Sequence, residues 1–158
     1  MSASCTLRMA GRLVGLCLLL SALAACQRAD VRHWPTGALR SEGRRARISG
    51  LEEGLWTYYY PNGQRREEGR YEAGRRVGQW REWHSNGAPR AEGERHWLAS
   101  SGASPREGLW VLWYEEGSAE GRGVYRAGLR EGHWDYFRHD GSLDHERTGE
   151  YHDDQLLE

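Results

Sequence analysis

Aromatic residues recur at regular intervals along this chain, separated by polar stretches that contain glycine. A Gly-x-Trp tripeptide opens each aromatic run, and its tryptophans follow one another at steps of 24, 30 and 24 residues: Trp56, Trp80, Trp110 and Trp134. Seven residues after each tryptophan stands a glycine, usually preceded by Asn or Asp: Gly63, Gly87, Gly117 and Gly141. Asn-Gly and Asp-Gly tolerate the positive φ angles of hairpin turns, so the pattern predicts a β-hairpin after each tryptophan.

A second glycine follows six residues after the turn, at Gly43, Gly69, Gly93 and Gly123. In the cleanest unit we predict a strand over residues 56–60, a tight turn, a strand over residues 65–71 and a looser turn at Ala73 and Gly74. Such a fixed period is typical of stacked units that bury their faces only against one another. The sequence therefore predicts an all-β fold, with four to five antiparallel hairpins stacked into one elongated, twisted sheet.

The repeats also set the domain boundaries that we expect. Residues 34–152 are assigned to the repeat domain, residues 26–33 to a short tether and residues 153–158 to an acidic tail. Residues 96–106 account for the single step of 30 residues and are predicted to form a surface loop. The first unit lacks its Gly-x-Trp strand and the last ends in the acidic tail, as expected of units that cap a sheet.

Two aromatic columns emerge when the units are aligned. The first holds the four repeat tryptophans, and the second stands three residues further on, at Tyr59, Trp83, Trp113 and Phe137. Residues three apart in a straight strand point to opposite faces, so either a bulge brings the columns together or the second column lines the other face. Stacking of both columns within the sheet is the structural interpretation. An exposed second column would instead be a ladder that binds a partner's apolar face, a peptide or a sugar polymer.

The units resemble the variant form of the MORN repeat, above all in GLWTYYYPNGQRREEGRYEAGRRVGQW and GLWVLWYEEGSAEGRGVYRAGLREGHW. The likeness covers about residues 34 to 152, and it implies stacked hairpins with a scaffolding or binding role. The third unit departs from the pattern at Arg95-His96-Trp97, and the fifth loses its closing glycine. Any break in the sheet is expected at these two places. The antitoxin role given to some bacterial members fits poorly with an exported chain.

The N-terminal residues 1–25 have the layout of a bacterial lipoprotein signal peptide. Arg8 and Arg12 precede an uncharged run that contains LVGLCLLLSALAAC, which is shorter than the ~20 residues of a membrane-spanning helix. The closing LAAC resembles a lipobox, which implies cleavage and lipidation at Cys26. Because Gln27 rather than Asp follows, the resemblance implies delivery to the outer membrane. A plain signal peptide with Cys26 at its exit by chance is the alternative.

The composition excludes several kinds of chemistry. All 22 basic residues are arginine, so a P-loop, a Schiff base and a Ser-Lys dyad are ruled out. Past residue 25 the acidic residues outnumber the arginines, which does not indicate the clustered basic surface that nucleic acid requires. Glu67 and Glu68 are adjacent, so on a strand they face opposite ways and cannot act as a glycosidase pair. We predict no enzyme activity, no catalytic residue and no cofactor.

The C-terminal stretch is rich in potential metal ligands. It contains four histidines among five aspartates: His133, His139, His145 and His152. The chain has no His-Glu-x-x-His motif, and no two of these histidines stand two residues apart on one strand. We interpret them as solvated residues of turns and a capping strand and predict no metal site. A metal-dependent hydrolase stays open as an alternative.

The sequence thus predicts an outer-membrane lipoprotein whose repeat domain is a non-catalytic protein-binding or scaffolding module. The expected partners are the membrane, reached through Cys26, and another protein of the cell envelope, with no nucleic acid. A glycan- or peptidoglycan-binding module that uses the aromatic ladder is the alternative from a different class.

Overall fold

The computed structural model describes residues 27–157, which form one open antiparallel sheet. Eleven strands follow one another in chain order, each hydrogen-bonded to the next. Their bounds are Gln27–His33 (β1), Leu39–Ala46 (β2), Glu52–Tyr59 (β3), Arg65–Glu72 (β4), Arg75–Trp83 (β5), Pro89–Arg95 (β6), Arg106–Trp113 (β7), Ala119–Arg126 (β8), Leu129–Tyr136 (β9), Gly149–His152 (β10) and Gln155–Leu156 (β11). The all-β architecture of consecutive hairpins is therefore confirmed. The predicted signal peptide and Cys26 lie outside the described residues.

Two kinds of turn connect the strands. Residues 60–64 join β3 to β4, and Gly63 has a φ of 86° there, a left-handed value that favours glycine. Only Ala73 and Gly74 join β4 to β5, at φ values of 48° and 76°. Two residues at positive φ form the turn whose twist matches that of paired strands. The expected turn lengths are thus reversed, because the Asn-Gly turn is the longer one and the Ala-Gly turn is the tight one.

The four repeat tryptophans form the core of the sheet. Each is at most 1% exposed, and we name the side of the sheet on which they lie the core face. Gly69 stands directly opposite Trp80, and a Cβ built on this glycine would overlap the indole ring. The same overlap links Gly93 with Trp110 and recurs at the other tryptophans. The second glycine of each hairpin therefore makes room for the tryptophan that opens the next.

Tyrosine and arginine side chains fill the core face between the tryptophans. Tyr71 meets the Trp80 ring edge-on at a centroid distance of 5.4 Å, and the Arg76 guanidinium lies 4.4 Å from the centroid of the same ring. Arg76 also donates to Glu67 at 2.9 Å, so its charge is paired. Edge-to-face ring pairs contribute about 0.5–1.5 kcal/mol each beyond area burial. Aromatic and cationic contacts thus replace much of the aliphatic core that this chain lacks.

The ends of the sheet differ from the expected boundaries. Residues 27–33, assigned to a tether, form β1 and pair with β2 along their whole length. Residues 155–156 of the expected tail form β11, which pairs with β10. The sheet continues past residues 96–106, because β6 pairs with β7 beside that loop. Within residues 27–157, no helix has the length and apolar character needed to cross a membrane.

Candidate binding surface

The second aromatic column lies on the side of the sheet opposite the core face, which we name the ladder face. A bulge does occur beside the turn of the second hairpin, but its extra residue, Arg66, belongs to the returning strand. The first strand therefore keeps its alternation, and Tyr59 points away from the side that carries Trp56. All four members of the column are partly buried, and the other three occupy the same position in later hairpins: Trp83, Trp113 and Phe137.

A third column of aromatic and histidine side chains, not predicted from the sequence, links each turn to the next hairpin by hydrogen bonds. The first residue of a turn extends its side chain to the backbone carbonyl oxygen of the next ladder residue. These contacts measure 2.8–3.3 Å and join Trp34 to Tyr59, Tyr60 to Trp83, His84 to Trp113, and Tyr114 to Phe137. The sequence did contain a signal for this column, because a ring bearing an N–H or O–H group stands at this position in four consecutive units. The contacts fix the backbone of the ladder.

Two ladder side chains already have partners within the chain. The Tyr59 hydroxyl donates to the Glu42 carboxylate at 2.6 Å. Burial and this negatively charged acceptor raise the pKa of Tyr59 to about 12. The Arg65 guanidinium lies 4.8 Å from the ring centroid of Trp83, within the range of a cation–π contact. These two rings are therefore already engaged in contacts within the protein, which leaves less of each ring free to contact a partner.

The fourth hairpin presents a group of apolar side chains on the ladder face. Leu109 is 62% exposed and stands directly opposite Val124, which is 42% exposed. Val111 and Trp113 alternate with Leu109 along β7, so they share its face. We name these four residues the apolar patch. Among residues 27–157, Trp113 has neither the hydrogen bond of Tyr59 nor a cation–π contact like that of Trp83.

The ladder face also carries a groove at its N-terminal end. Its volume is about 490 Å³, and its lining mixes apolar with charged side chains, including Val31, Leu55, Glu42 and Arg44. The groove is formed by three neighbouring strands of the single sheet rather than between two layers. Such a surface suits contact with an extended partner better than enclosure of a small molecule.

The adjacent acids that might have formed a catalytic pair are separated by strand alternation. Glu67 accepts a hydrogen bond from Arg76 on the core face, whereas Glu68 accepts one from the Thr57 hydroxyl at 3.1 Å on the ladder face. Each carboxylate therefore has a structural partner of its own.

The C-terminal histidines do not converge on one point. His133 lies on β9 and His152 on β10, both on the ladder face, whereas His145 belongs to the loop between these strands. The His139 ring stacks on Tyr114 at a centroid distance of 3.8 Å, beside a turn. The structure thus brings only His133 and His152 to the same pair of strands.

These features define a class of protein: a repeat protein whose hairpins form one open sheet, with structural tryptophans on one face and an aromatic ladder on the other. Residues 52–73, which comprise β3, β4 and the first residue of the turn after them, match the family model described as MORN repeat variant. The predicted resemblance is confirmed for this hairpin, and it indicates a non-catalytic repeat module. No curated protein matches the chain.

Proposed function

We propose that this protein is a lipid-anchored component of the cell envelope whose ladder face docks another envelope protein. The observation that carries the proposal is the apolar patch on the fourth hairpin. Its exposed Leu109 and Val124 share the ladder face with Val111 and the ladder residue Trp113, opposite the core face. Contiguous apolar surface of this kind marks interaction sites, and aromatic residues are enriched among those that contribute most to binding.

The ladder is also preorganised for binding. The hydrogen bond between His84 and the carbonyl oxygen of Trp113, at 2.8 Å, holds the strand end from which the ring projects. A surface that is already ordered loses less conformational entropy when a partner binds. The apolar patch therefore suits a partner that presents apolar side chains from a rigid surface.

The N-terminal sequence supports the proposed localisation in the cell envelope. The lipobox-like LAAC ends at Cys26, and acylation with more than one chain gives a stable membrane anchor. Since β1 begins at Gln27, an anchor at Cys26 would hold the first hairpin at the bilayer surface. The test is Cys26→Ala: we expect an unprocessed, non-acylated chain that leaves the outer-membrane fraction. Wild-type protein without acyl chains would contradict the anchor.

Site-specific crosslinking in intact cells tests the docking surface. A photoreactive amino acid at Leu109 should give a discrete adduct with another protein, and Trp113→Ala should abolish it. The control position is Ile48, which is 96% exposed but lies in the turn between β2 and β3, away from the apolar patch. Circular dichroism must show that the Trp113→Ala chain remains folded. Absence of an adduct at Leu109, or an equal adduct at Ile48, would contradict the proposal.

A glycan is the second candidate, because ladder residues recur on every second strand. Neighbouring strands are about 4.8 Å apart, so successive rungs are about 9.6 Å apart, close to the length of one disaccharide. The partners of Tyr59 and Trp83 weaken this candidate, since two of the four rungs are already engaged. Tryptophan fluorescence with peptidoglycan fragments decides between the two. A change that disappears when Trp83→Ala and Trp113→Ala are combined supports the glycan, and no change excludes it.

A further inference from the structure

The ladder face of the last hairpin carries potential metal ligands on two neighbouring strands. On β9, Glu131 and His133 alternate on this face, and on β10, Glu150 and His152 do the same. Strand pairing places Glu150 directly opposite His133 and brings His152 beside Glu131. Residues 21 positions apart in the sequence thus become neighbours, which spacing along one strand could not reveal.

Two of these side chains, Glu131 and His152, lie close enough to Asp153 in the turn after β10 for the three to share a metal ion. One ligand atom each from Glu131, His152 and Asp153 lies within 4.8 Å of the other two. His152 Nδ1 is 3.2 Å from Glu131 Oε2. Two ligand atoms bound to zinc at about 2.0–2.2 Å are separated by no more than about 4.4 Å. A small rotation of the His152 and Asp153 side chains, which are both exposed, therefore brings all three ligand atoms into range of one ion.

The turn after β10 explains why Asp153 is available. Asp153 and Asp154 occupy this two-residue turn with φ values of 49° and 67°. Asp154 is committed to the sheet, because it accepts hydrogen bonds from both the backbone and the side chain of Arg130, at 2.8 and 3.0 Å. Within residues 27–157, the only ionisable side chain paired with the Asp153 carboxylate is His152, at 3.7 Å. One aspartate of the turn is structural, and the other remains open to a ligand.

We propose that Glu131, His152 and Asp153 bind a divalent transition-metal ion of the zinc type. One imidazole and two carboxylates form a mixed nitrogen and oxygen ligand set that such ions accept, and the two acids offset the charge of the ion. The side chains of His152 and Asp153 are 66% and 68% exposed, so water completes the coordination. Arg126 lies 3.8 Å from Glu131 and would compete with an ion for this carboxylate. Its side chain is 74% exposed, so it can move into solvent when the ion binds.

The ion has a structural consequence that is independent of any docked partner. Only three residue pairs join β10 to β9, and only two join β11 to β10. An ion held by Glu131 on β9, by His152 at the end of β10 and by Asp153 in the turn after it would tie β10 and β11 to the rest of the sheet. Because binding to the folded state alone stabilises it, zinc should raise the melting temperature of the protein.

The experiment uses the full-length chain in detergent, without a polyhistidine tag and after dialysis against a chelator. Calorimetric titration with zinc chloride should show one ion per chain, together with a rise in melting temperature. His152→Ala and Glu131→Gln should each weaken binding at least tenfold and remove the rise. The matched control is His139→Ala, since His139 also pairs with a carboxylate, Glu116, but at another turn. It should bind zinc like the wild type.

Glu131→Gln keeps the shape of the side chain, so it tests the site even if His152→Ala disturbs the hairpin. Wild-type protein that binds no zinc would overturn the proposal. It would also be overturned if either site variant bound zinc like the wild type while its circular dichroism spectrum showed a folded sheet. Because Glu131, His152 and Asp153 are not part of the apolar patch, failure here would leave the docking proposal untouched.

Discussion

The two faces of this sheet follow different rules. On the core face every hairpin from the second to the fifth opens with a buried tryptophan that lies across a glycine of the strand before it. On the ladder face the corresponding positions change character, from Gln79 in the third hairpin to Leu109 in the fourth and His133 in the fifth. The uniform face is what allows hairpins to stack. The variable face is where one hairpin can acquire a property that its neighbours lack.

Trp110 and Trp113 give the sharpest test of this division, because they are three residues apart on β7 and face opposite sides. Trp110→Ala should lower the free energy of unfolding by about 3–5 kcal/mol, since it leaves a cavity under a fully buried ring. Trp113→Ala should cost less than half as much, because this side chain is partly exposed. Urea denaturation followed by circular dichroism measures both. Equal losses would mean that the ladder face contributes as much to stability as the core face, so that the two faces do not have separate roles.

Substitution of the glycine on which a tryptophan packs should also destabilise the protein, by less than loss of the ring. Gly93→Ala inserts a Cβ where the Trp110 ring lies, and overpacking of this kind typically costs about 1–3 kcal/mol. In a Trp110→Ala background the clash has no partner, so the same glycine substitution should then cost little. A double-mutant cycle by urea denaturation measures this coupling. Additive losses would show that the glycine is needed for another reason.

The smallest expected effect concerns the first hairpin, where Asp30 stands at the position that tryptophan occupies elsewhere. Asp30 accepts hydrogen bonds from Arg45 at 2.7 Å and Arg32 at 3.1 Å, and Arg45 covers the Trp56 ring. Although burial alone would raise it, the hydrogen bonds from these arginines hold the pKa of Asp30 below its ordinary value of 3.8. A pKa lowered by folding stabilises the protein above that ordinary value and ceases to do so as the pH falls through the folded value.

Asp30→Asn should therefore reduce the free energy of unfolding at pH 7 by about 1 kcal/mol. The difference from the wild type should shrink as the pH falls below 3.8. Urea titrations at pH 7 and at pH 3, in buffer that contains a metal chelator, measure the effect, with Asp153→Asn as a control at the opposite end of the sheet. A difference that stays constant with pH would show that the aspartate acts through shape rather than charge.

Much of the fold could be predicted from the sequence, because the tryptophans and glycines of the repeat determine strand pairing directly. The turn lengths could not, since nothing in the composition shows that Ala73 accepts a φ of 48°. Residues 27–33 lack Gly-x-Trp, and they become a strand through pairing with β2 rather than through a pattern of their own. Strand alternation left two placements open for Tyr59, and the position of the bulge on the returning strand decides for the ladder face.

The details of the ladder face were harder to foresee. Whether an aromatic ring is free or covered depends on side chains from the neighbouring strand, such as Arg65 over Trp83. The cluster at His152 likewise arises from cross-strand neighbours. Sequence spacing describes one strand at a time, whereas a surface on a sheet is assembled across strands.

The junction between one hairpin and the next is chemically the same along most of the sheet, and this gives the molecule an adjustable length. Ten spacings of about 4.8 Å separate the first strand from the eleventh, or about 48 Å measured along the twisted sheet. Inserting or deleting one whole hairpin would change that distance by about 9.6 Å while creating no new kind of contact. The number of hairpins that precede the apolar patch therefore sets how far this patch lies from the first hairpin.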